Sequence, residues 1–158
     1  MGYAVLHIDK ARSNDSGNTA HIARTYTPSN VDPSRTHLNR ELVQFPANVT
    51  NRSEAIEHRI ATAGIYRKVA KNQVKALRFI LSSSPKDMAR IEQEGRLYEW
   101  CDESMDWLRD TFGADNVVAA TLHADEDTPH IHATVVPIVT GERRKAKEEA
   151  ENGKRKYK

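Results

Sequence analysis

The stretch Leu122–Pro137 reads LHADEDTPHIHATVVP and contains three of the seven histidines of the chain. Two of them, His130 and His132, are separated by a single residue. On a β-strand, residues two apart point to the same face, so these two imidazoles would stand side by side. The run His132–Val139 is rich in β-branched and apolar residues, which is typical of a strand.

A second strand is predicted just before this motif, over Asn116–His123 (NVVAATLH). The segment between the two strands, Ala124–Pro129, is acidic and contains Thr-Pro, which predicts a turn. Strands joined by so short a loop pair antiparallel, so the hairpin should return His130 and His132 to the side of His123. We therefore expect three imidazoles to converge at the end of the hairpin, with the carboxylates of the loop above them.

Three neutral imidazoles that leave coordination positions open suit a divalent metal ion. The alternative is one or two buried histidines that only satisfy their own hydrogen bonds. The third histidine, together with Asp125 and Glu126 at the mouth of the hairpin, favours the metal site. Imidazole ligands suit Mn²⁺, Co²⁺, Ni²⁺ or Zn²⁺, whereas Mg²⁺ prefers oxygen ligands. We therefore expect a divalent cofactor, Mn²⁺ in the first place, with Mg²⁺ as a weaker substitute.

Length and composition indicate an ordinary soluble domain. The chain has 158 residues, enough for one compact unit with a hydrophobic core, with 38% apolar and 29% charged residues. No apolar run reaches membrane-spanning length, and the first residues, MGYAVLHIDKAR, lack a signal-peptide cleavage pattern. The single Cys101 cannot form an internal disulfide, which agrees with a reducing compartment. We therefore expect a cytoplasmic protein without membrane contacts.

Charge is distributed unevenly along the chain. Between Arg52 and Arg78, seven Lys and Arg residues stand against two Glu, whereas Lys86–Asp115 has four basic residues against nine acidic ones. The first segment would attract a polyanion such as DNA, although two solvated helix faces would explain the same pattern. The candidates for DNA contacts in this basic segment are its seven Lys and Arg residues, Arg52, Arg59, Arg67, Lys68, Lys71, Lys75 and Arg78.

The other elements follow from periodicity and from helix-start and helix-stop signals. Strands are predicted over Tyr3–Ile8 and Ala76–Ser82. Short helices are predicted from a Thr19 cap and over 85–95, and longer helices over Asn51–Val69 with a Ser53 cap and over Arg96–Phe112. Residues 27–36 are predicted to be an irregular loop and 37–42 a helical turn. This order predicts an α+β fold, a mostly antiparallel β-sheet with helices packed on one face.

Residues 1–140 are predicted to form the single folded domain. After Val139 the sequence becomes TGERRKAKEEAENGKRKYK, which is highly charged and nearly devoid of apolar residues. We expect residues 141–158 to be a charged tail, or the start of a linker to a C-terminal region that the sequence does not include.

The HIH strand preceded by an acidic loop resembles the HUH endonuclease superfamily, whose members cut and rejoin single-stranded DNA. Three segments together resemble the MobV-type, or Mob/Pre, plasmid mobilisation relaxases. These segments are the hairpin HADEDTPHIHATVVP (123–137), the spaced pair His21 and Arg24, and DPSRTHLN (32–39). The resemblance spans residues 3–139 in the same order. It implies the HUH relaxase-like sandwich and makes residues 1–140 the nicking domain.

The resemblance also implies an activity. Such an enzyme would nick one DNA strand site-specifically at a transfer origin by metal-dependent transesterification, leaving a covalent 5′-phosphoryl link to the protein. Its partners would be single-stranded or locally melted DNA and other mobilisation or coupling proteins. By position, the nucleophile is His21, the carboxylate that orients or activates it is Glu126, and the metal ligands are His123, His130 and His132. The positions for DNA contacts or support of the site are Arg24, Arg35, His37 and Asn39.

The same residues leave other mechanisms open. Tyr26 lies five residues after His21 and could be the nucleophile of a tyrosine-type enzyme, as in a rolling-circle replication initiator. A metal-dependent phosphoesterase could use the same three histidines without needing the basic segment. A DNA-binding module with a structural zinc would need a fourth ligand, and the sequence offers no obvious Cys or His for it.

Overall fold

The computed structural model describes residues 4–11, 15–65 and 73–139. The strands are β1 (Ala4–Ala11), β2 (Arg40–Glu41), β3 (Ala76–Ser83), β4 (Val117–His123) and β5 (His130–Val135). The α-helices are α1 (Ser16–Ala23), α2 (Arg52–Thr62), α3 (Pro85–Gln93) and α4 (Leu97–Phe112), and 3-10 helices span Pro33–Leu38 and Ala114–Asn116. None of the helices in these ranges is long and apolar enough to cross a membrane. The predicted tail, 141–158, lies outside the described residues, so the domain boundary stays a prediction.

The strands form one antiparallel sheet in the order β1-β3-β5-β4-β2. The predicted hairpin is present, with β4 and β5 as neighbours and His123 directly opposite His130. Strand β3 pairs with the other side of β5, so the histidine-bearing strand is held on both sides. The α+β class and the antiparallel sheet are confirmed.

One face of the sheet carries the main hydrophobic core. Along β5, Ile131, Ala133 and Val135 alternate with the histidines and are almost completely buried. Helices α3 and α4 pack on these residues, and the buried side chains they supply are Met88, Leu97, Cys101, Met105 and Leu108. The burial of this apolar side leaves His130 and His132 on the opposite face, as the alternation of a strand requires.

The face that carries the histidines is partly covered by α1 and α2. Arg52 of α2 is buried and donates a hydrogen bond to Thr134 Oγ1 at 2.5 Å. Ile56 packs with Val118 and Val136 in a second, smaller apolar cluster. Helices α3 and α4 therefore pack on one face of the sheet, as predicted, whereas α1 and α2 form a partial layer on the other face. The reason is that α2 has an apolar side of its own, which must also be buried.

The two predicted N-caps of α1 and α2 are wrong, and both errors have one cause. Thr19 lies inside α1, which begins at Ser16, and its hydroxyl is 2.8 Å from Ser53 Oγ. Helix α2 is capped by Asn51 instead, whose side-chain oxygen accepts the Glu54 backbone N–H at 2.9 Å. The two hydroxyls that resemble caps in the sequence thus join the two helices.

Helix α2 is also shorter than predicted, because it ends at Thr62 and not at Val69. Gly64 follows with a φ of 70°, in the left-handed region that glycine adopts without steric cost. Residues 66–72 lie outside the described part of the chain.

The segment predicted as a loop and a helical turn (27–42) is ordered against the hairpin. Its 3-10 helix is capped by Asp32, whose Oδ1 accepts the Ser34 backbone N–H at 3.0 Å. The backbone N–H of Asp32 donates to the carbonyl oxygen of Asp125 at 2.7 Å. Strand β2 then pairs with β4, and it was missed because two residues are too few to show an alternating pattern.

Candidate active site

The end of the hairpin gathers four side chains whose potential ligand atoms all lie within 4.8 Å of one another: His123, Glu126, His130 and His132. The Nε2 atoms of His130 and His132 are 3.2 Å apart. Glu126 Oε2 lies 3.2 Å from His130 Nε2 and 3.4 Å from His123 Nδ1. The three histidines predicted as ligands are thus brought together, and this ligand cluster can hold a divalent metal ion.

Backbone carbonyls orient two of these rings. His123 Nε2 lies 2.8 Å from the carbonyl oxygen of Ile22, and His130 Nδ1 lies 2.8 Å from that of Thr128. A ring nitrogen bonded to a carbonyl must carry the proton, so the other nitrogen presents a lone pair to the cluster. His123 Nδ1 is buried and has no hydrogen-bond partner among the described residues. A buried lone pair aimed at three other ligand atoms fits a bound cation.

The charge state of the cluster also suits a cation. The close approach of the His123 and His130 ring nitrogens to its carboxylate holds the pKa of Glu126 far below its usual value. Burial lowers the pKa of His132 to about 3, and the neighbouring His130 and His123 act in the same direction. Burial lowers the pKa of His130, but the neighbouring Glu126 carboxylate and the bond to the Thr128 carbonyl together outweigh burial, so the pKa is raised. At neutral pH the cluster therefore offers a carboxylate and a neutral His132.

His21 stands beside the ligand cluster on α1. Its ring centroid is 6.1 Å from that of His132 and 6.3 Å from that of His123. The hydroxyl of Tyr26 lies 3.4 Å from His21 Nδ1. Burial, followed by the positive charge of Arg24, lowers the pKa of His21, which keeps the imidazole neutral at neutral pH. Both candidate nucleophiles are therefore at the site.

Glu126, predicted to orient His21, makes its described contacts elsewhere. Besides the histidines of the cluster, its Oε2 accepts a hydrogen bond from Arg24 Nη2 at 2.8 Å. Its Oε1 accepts one from Asn30 Nδ2, also at 2.8 Å. The carboxylate thus lies within the ligand cluster, and its predicted action on His21 stays a prediction.

The sequence did not reveal the role of Asp125. Its side chain is buried and accepts hydrogen bonds from Arg24 Nε at 3.0 Å and Nη2 at 2.9 Å. Thr36 Oγ1 and Asn39 Nδ2 donate to it at 2.9 and 3.0 Å. Burial alone would raise the pKa of Asp125, but these hydrogen bonds lower it to about 2. Arg24 and Asn39, predicted to touch DNA or support the site, here bind this carboxylate.

The other two residues of that predicted group lie farther out. Arg35 Nε donates to the carbonyl oxygen of Ala124 at 2.9 Å, and its Nη2 pairs with Glu92 at 2.5 Å. Arg35 therefore supports the backbone of the hairpin loop. His37 is exposed, and its carbonyl oxygen accepts a hydrogen bond from Arg40 at 2.9 Å.

Two of the candidates in the basic segment bind other side chains of the protein. Arg52 is buried and pairs with Asp15 at 2.9 Å, and Arg59 Nη2 donates to Asn116 Oδ1 at 2.9 Å.

Two further candidates, Lys75 and Arg78, are already ion-paired. Lys75 Nζ lies 3.5 Å from Glu57, and Arg78 Nη2 lies 2.6 Å from Asp9. Arg78 stands opposite Thr134 in the sheet, on the face of the histidines. These pairs reduce the positive charge that the two side chains offer to DNA. The other three candidates, Arg67, Lys68 and Lys71, lie outside the described residues.

An open cleft of about 480 Å³ adjoins the ligand cluster. One wall carries His21, Glu126, His130 and His132. The floor continues across β3 and β1 with Ile80, Ser82 and Val5, so the cleft extends sideways over the sheet. A candidate nucleophile, a ligand cluster and an open groove thus share one surface.

A family assignment agrees with this geometry. Residues 1–157 match the Mob_Pre family, which is described as plasmid recombination enzymes. The chain belongs to this family. The predicted resemblance to MobV-type relaxases is confirmed, since Mob_Pre covers almost the whole chain.

Mob_Pre relatives in bacteria include "Plasmid recombination enzyme type 3" of Staphylococcus aureus, which is 32% identical over an alignment of 162 residues, gaps included. The alignment covers 98% of this chain and 38% of that protein. A plasmid recombination enzyme of a Bacillus species is 33% identical over 150 residues, which cover 89% of this chain and 34% of the relative. The chain thus spans well under half the length of these relatives.

Solved structures of the MobM relaxase domain, also a Mob_Pre protein, share the fold. A manganese-bound crystal structure of that domain with 22 nucleotides of plasmid pMV158 oriT DNA superposes with a TM-score of 0.77 at 26% identity, covering 95% of this chain and 80% of that one. A second, with 23 nucleotides of the same oriT DNA and also manganese-bound, has a TM-score of 0.74 at 25% identity and covers 75% of that chain.

Proposed function

We propose that this Mob_Pre chain is a relaxase domain that nicks one DNA strand at a transfer origin and remains covalently attached to the new 5′ end. The observation that carries the proposal is the position of His21 at the edge of a cluster that can hold a divalent metal ion. The ring centroids of His21 and His132 are 6.1 Å apart. The similarity to the MobM domain, whose crystal structure contains oriT DNA and manganese, supports the substrate and the metal.

His21 is the proposed nucleophile. With Nδ1 at the Tyr26 hydroxyl, Nε2 is the nitrogen left for attack on the scissile phosphorus. The attack forms a P–N bond to the 5′-phosphoryl group and breaks the P–O bond to the preceding nucleotide. The leaving 3′-oxygen takes up a proton from solvent, and the ring releases its Nδ1 proton to solvent, so charge and protons balance. The lowered pKa of His21 supports this role, because only the neutral ring has a free electron pair.

We propose that His123, His130 and His132 hold the metal together with Glu126, so this proposal has four ligands where the sequence predicted three. When bound, it supplies positive charge to the non-bridging oxygens of the scissile phosphate. We propose Mn²⁺ as the resident ion, because three imidazoles favour it over Mg²⁺ and because the MobM crystal structures contain manganese. The carbonyls of Ile22 and Thr128 keep two of the rings in the ligating tautomer.

The proposed DNA partner is single-stranded or locally melted. The cleft beside the cluster is open along the sheet, and Arg78 stands on the same face. Lys75, together with Arg67, Lys68 and Lys71, would add contacts to the phosphate backbone of the DNA. Other mobilisation or coupling proteins are proposed partners of the longer protein, with residues 1–140 as its nicking domain.

The test is adduct formation. Overlapping labelled single-stranded oligonucleotides that tile the DNA flanking the gene are incubated with the protein and Mn²⁺, Mg²⁺ or EDTA. We expect one oligonucleotide to give a protein–DNA adduct that resists denaturation, fastest with Mn²⁺, slower with Mg²⁺ and absent with EDTA. A free cleaved product with no adduct would identify a phosphoesterase instead.

The second candidate, a rolling-circle initiator that uses Tyr26, is separated by Tyr26→Phe. We expect this variant to form the adduct at a rate within about tenfold of the parent, because the loss of one hydrogen bond to His21 Nδ1 costs about 0.5–1.5 kcal/mol. Tyr98→Phe, on the exposed side of α4, is the matched control. Complete loss of the adduct in Tyr26→Phe alone would make Tyr26 the nucleophile.

A further inference from the structure

A buried carboxylate outside the proposed ligands, Asp125, connects the separate parts of the site. Its side chain is fully buried, with 0% exposed surface, and it accepts hydrogen bonds from Arg24, Thr36 and Asn39. Its backbone carbonyl accepts the N–H of Asp32 at 2.7 Å. A carboxylate bonded in this way is held firmly, because a shift would leave a buried charge without its partners.

Arg24 carries the connection from Asp125 to the reacting groups. Its side chain is only 6% exposed and binds Asp125 through Nε and Nη2. The same Nη2 lies 2.8 Å from Glu126 Oε2, and Nη1 donates to the carbonyl oxygen of His21 at 2.9 Å. Because the guanidinium is planar and its fork matches a carboxylate, Asp125 determines its orientation. One rigid group thus links Asp125 with Glu126 and with the backbone of His21.

Asp125 also holds the segment that contains the 3-10 helix Pro33–Leu38 against the hairpin. Thr36 and Asn39, from the segment that follows residue 32, bind Asp125 Oδ2. Asn39 also accepts the backbone N–H of Ala124 at 2.7 Å. The backbone between His123 and Asp125 is therefore fixed from two directions.

We propose that Asp125 is a positioning residue for strand cleavage. By orienting Arg24, it sets the distance between His21 and the ligand cluster and the direction of the Glu126 carboxylate. Because its side chain is fully buried, it is not positioned to touch the DNA or the transferred phosphoryl group. The proposal rests on the proposed function, in which His21 attacks the scissile phosphate.

Asp125→Asn tests the proposal, because asparagine keeps the shape of the side chain but loses the charge. We expect the rate constant of adduct formation, at saturating oligonucleotide and Mn²⁺, to fall by about a hundredfold, since displacement of reacting groups by about 1 Å has that effect. The Kd for the same oligonucleotide without metal should stay within about threefold of the parent, because many backbone contacts share the binding.

A double variant tests whether Asp125 acts through Arg24. If it does, Asp125→Asn combined with Arg24→Lys should be no slower than the slower single variant, because both changes break the same link. Rate losses that multiply in the double variant would overturn this route.

Asn116→Ala is the control for a merely structural effect. Asn116 is buried at the opposite end of β4, where it donates to the carbonyl oxygens of Phe112 and Ile138. Its loss should lower the melting temperature without changing the rate constant. In metal-free protein, the NMR signals of the His21 and His132 rings should shift in Asp125→Asn and stay in place in Asn116→Ala.

The outcomes separate the two proposals. A parent protein that forms no adduct through His21 would overturn the proposed function. A parent that does so, with Asp125→Asn at the parental rate and unshifted ring signals, would overturn the positioning role alone. If Asp125→Asn does not fold, Thr36→Val removes one donor without removing a charge. A several-fold slower adduct is then expected, and an unchanged rate contradicts the proposal.

Discussion

Replacing His21 by alanine should abolish the covalent protein–DNA adduct completely. The imidazole supplies the atom that would bond to phosphorus, and alanine offers no substitute. The Kd for single-stranded oligonucleotide should change by less than about threefold, because contacts to the backbone carry most of the binding. A gel that separates adduct from free DNA, combined with a filter-binding titration, measures both quantities on one oligonucleotide.

The chemistry of the bond provides an independent check on His21. An adduct through a histidine nitrogen is a phosphoramidate, which is labile in acid and stable in base, whereas an adduct through Tyr26 is an aryl phosphodiester that survives mild acid. An acid-stable adduct that persists in His21→Ala and disappears in Tyr26→Phe would reassign the protein to the tyrosine class.

Replacing His130 by alanine should remove metal binding and, with it, nicking. Its Nε2 lies 3.2 Å from both His132 Nε2 and Glu126 Oε2, so its loss opens the centre of the ligand cluster. Changes to residues that hydrogen-bond to the ligands typically lower the affinity for the metal by about 10–100-fold, so losing a ligand should lower it by at least about a hundredfold. A calorimetric titration of the metal-free protein with Mn²⁺ measures this affinity.

His58→Ala is the matched control for His130→Ala, because His58 is a partly buried histidine of α2 that does not belong to the ligand cluster. The control should bind Mn²⁺ with the parental Kd. Far-ultraviolet circular dichroism should be unchanged in both variants, since His130 sits at the end of β5 and the strand is held by β3 and β4. Parental affinity in His130→Ala would show that the ligand assignment is wrong.

The hairpin was predictable because its information is local. Alternation on β5 puts His130 and His132 on one face, and the short loop fixes antiparallel pairing with His123. Side-chain direction and register follow from these few residues alone. The same reasoning could not place α1 and α2, because the packing of a helix depends on surfaces that are distant in sequence.

The contacts of Asp125 were not predictable for the same reason. Its partner Arg24 lies 101 residues away, and Thr36 lies 89 residues away. An acidic residue in the run Asp125–Asp127 carries no periodic signal that predicts a buried hydrogen-bond network. The two wrong helix caps show the same limit, since Thr19 and Ser53 look like local caps but bind each other across 34 residues.

The register of the hairpin has a consequence for the order in which the site comes apart. The proposed ligands come from one short loop and its two flanking strand ends, so little chain entropy opposes their assembly. His21 instead depends on the docking of α1, which reaches the ligand cluster through a contact between Ile22 and His123 that closes a loop of 101 residues. Fraying of α1 would therefore withdraw the nucleophile, and it would also remove the Ile22 carbonyl that orients the His123 ring, so the hairpin would bind its ion more weakly. At saturating metal, such an opened molecule would still carry its ion but be unable to cut, so metal content measured at saturation would overstate the active fraction of a preparation.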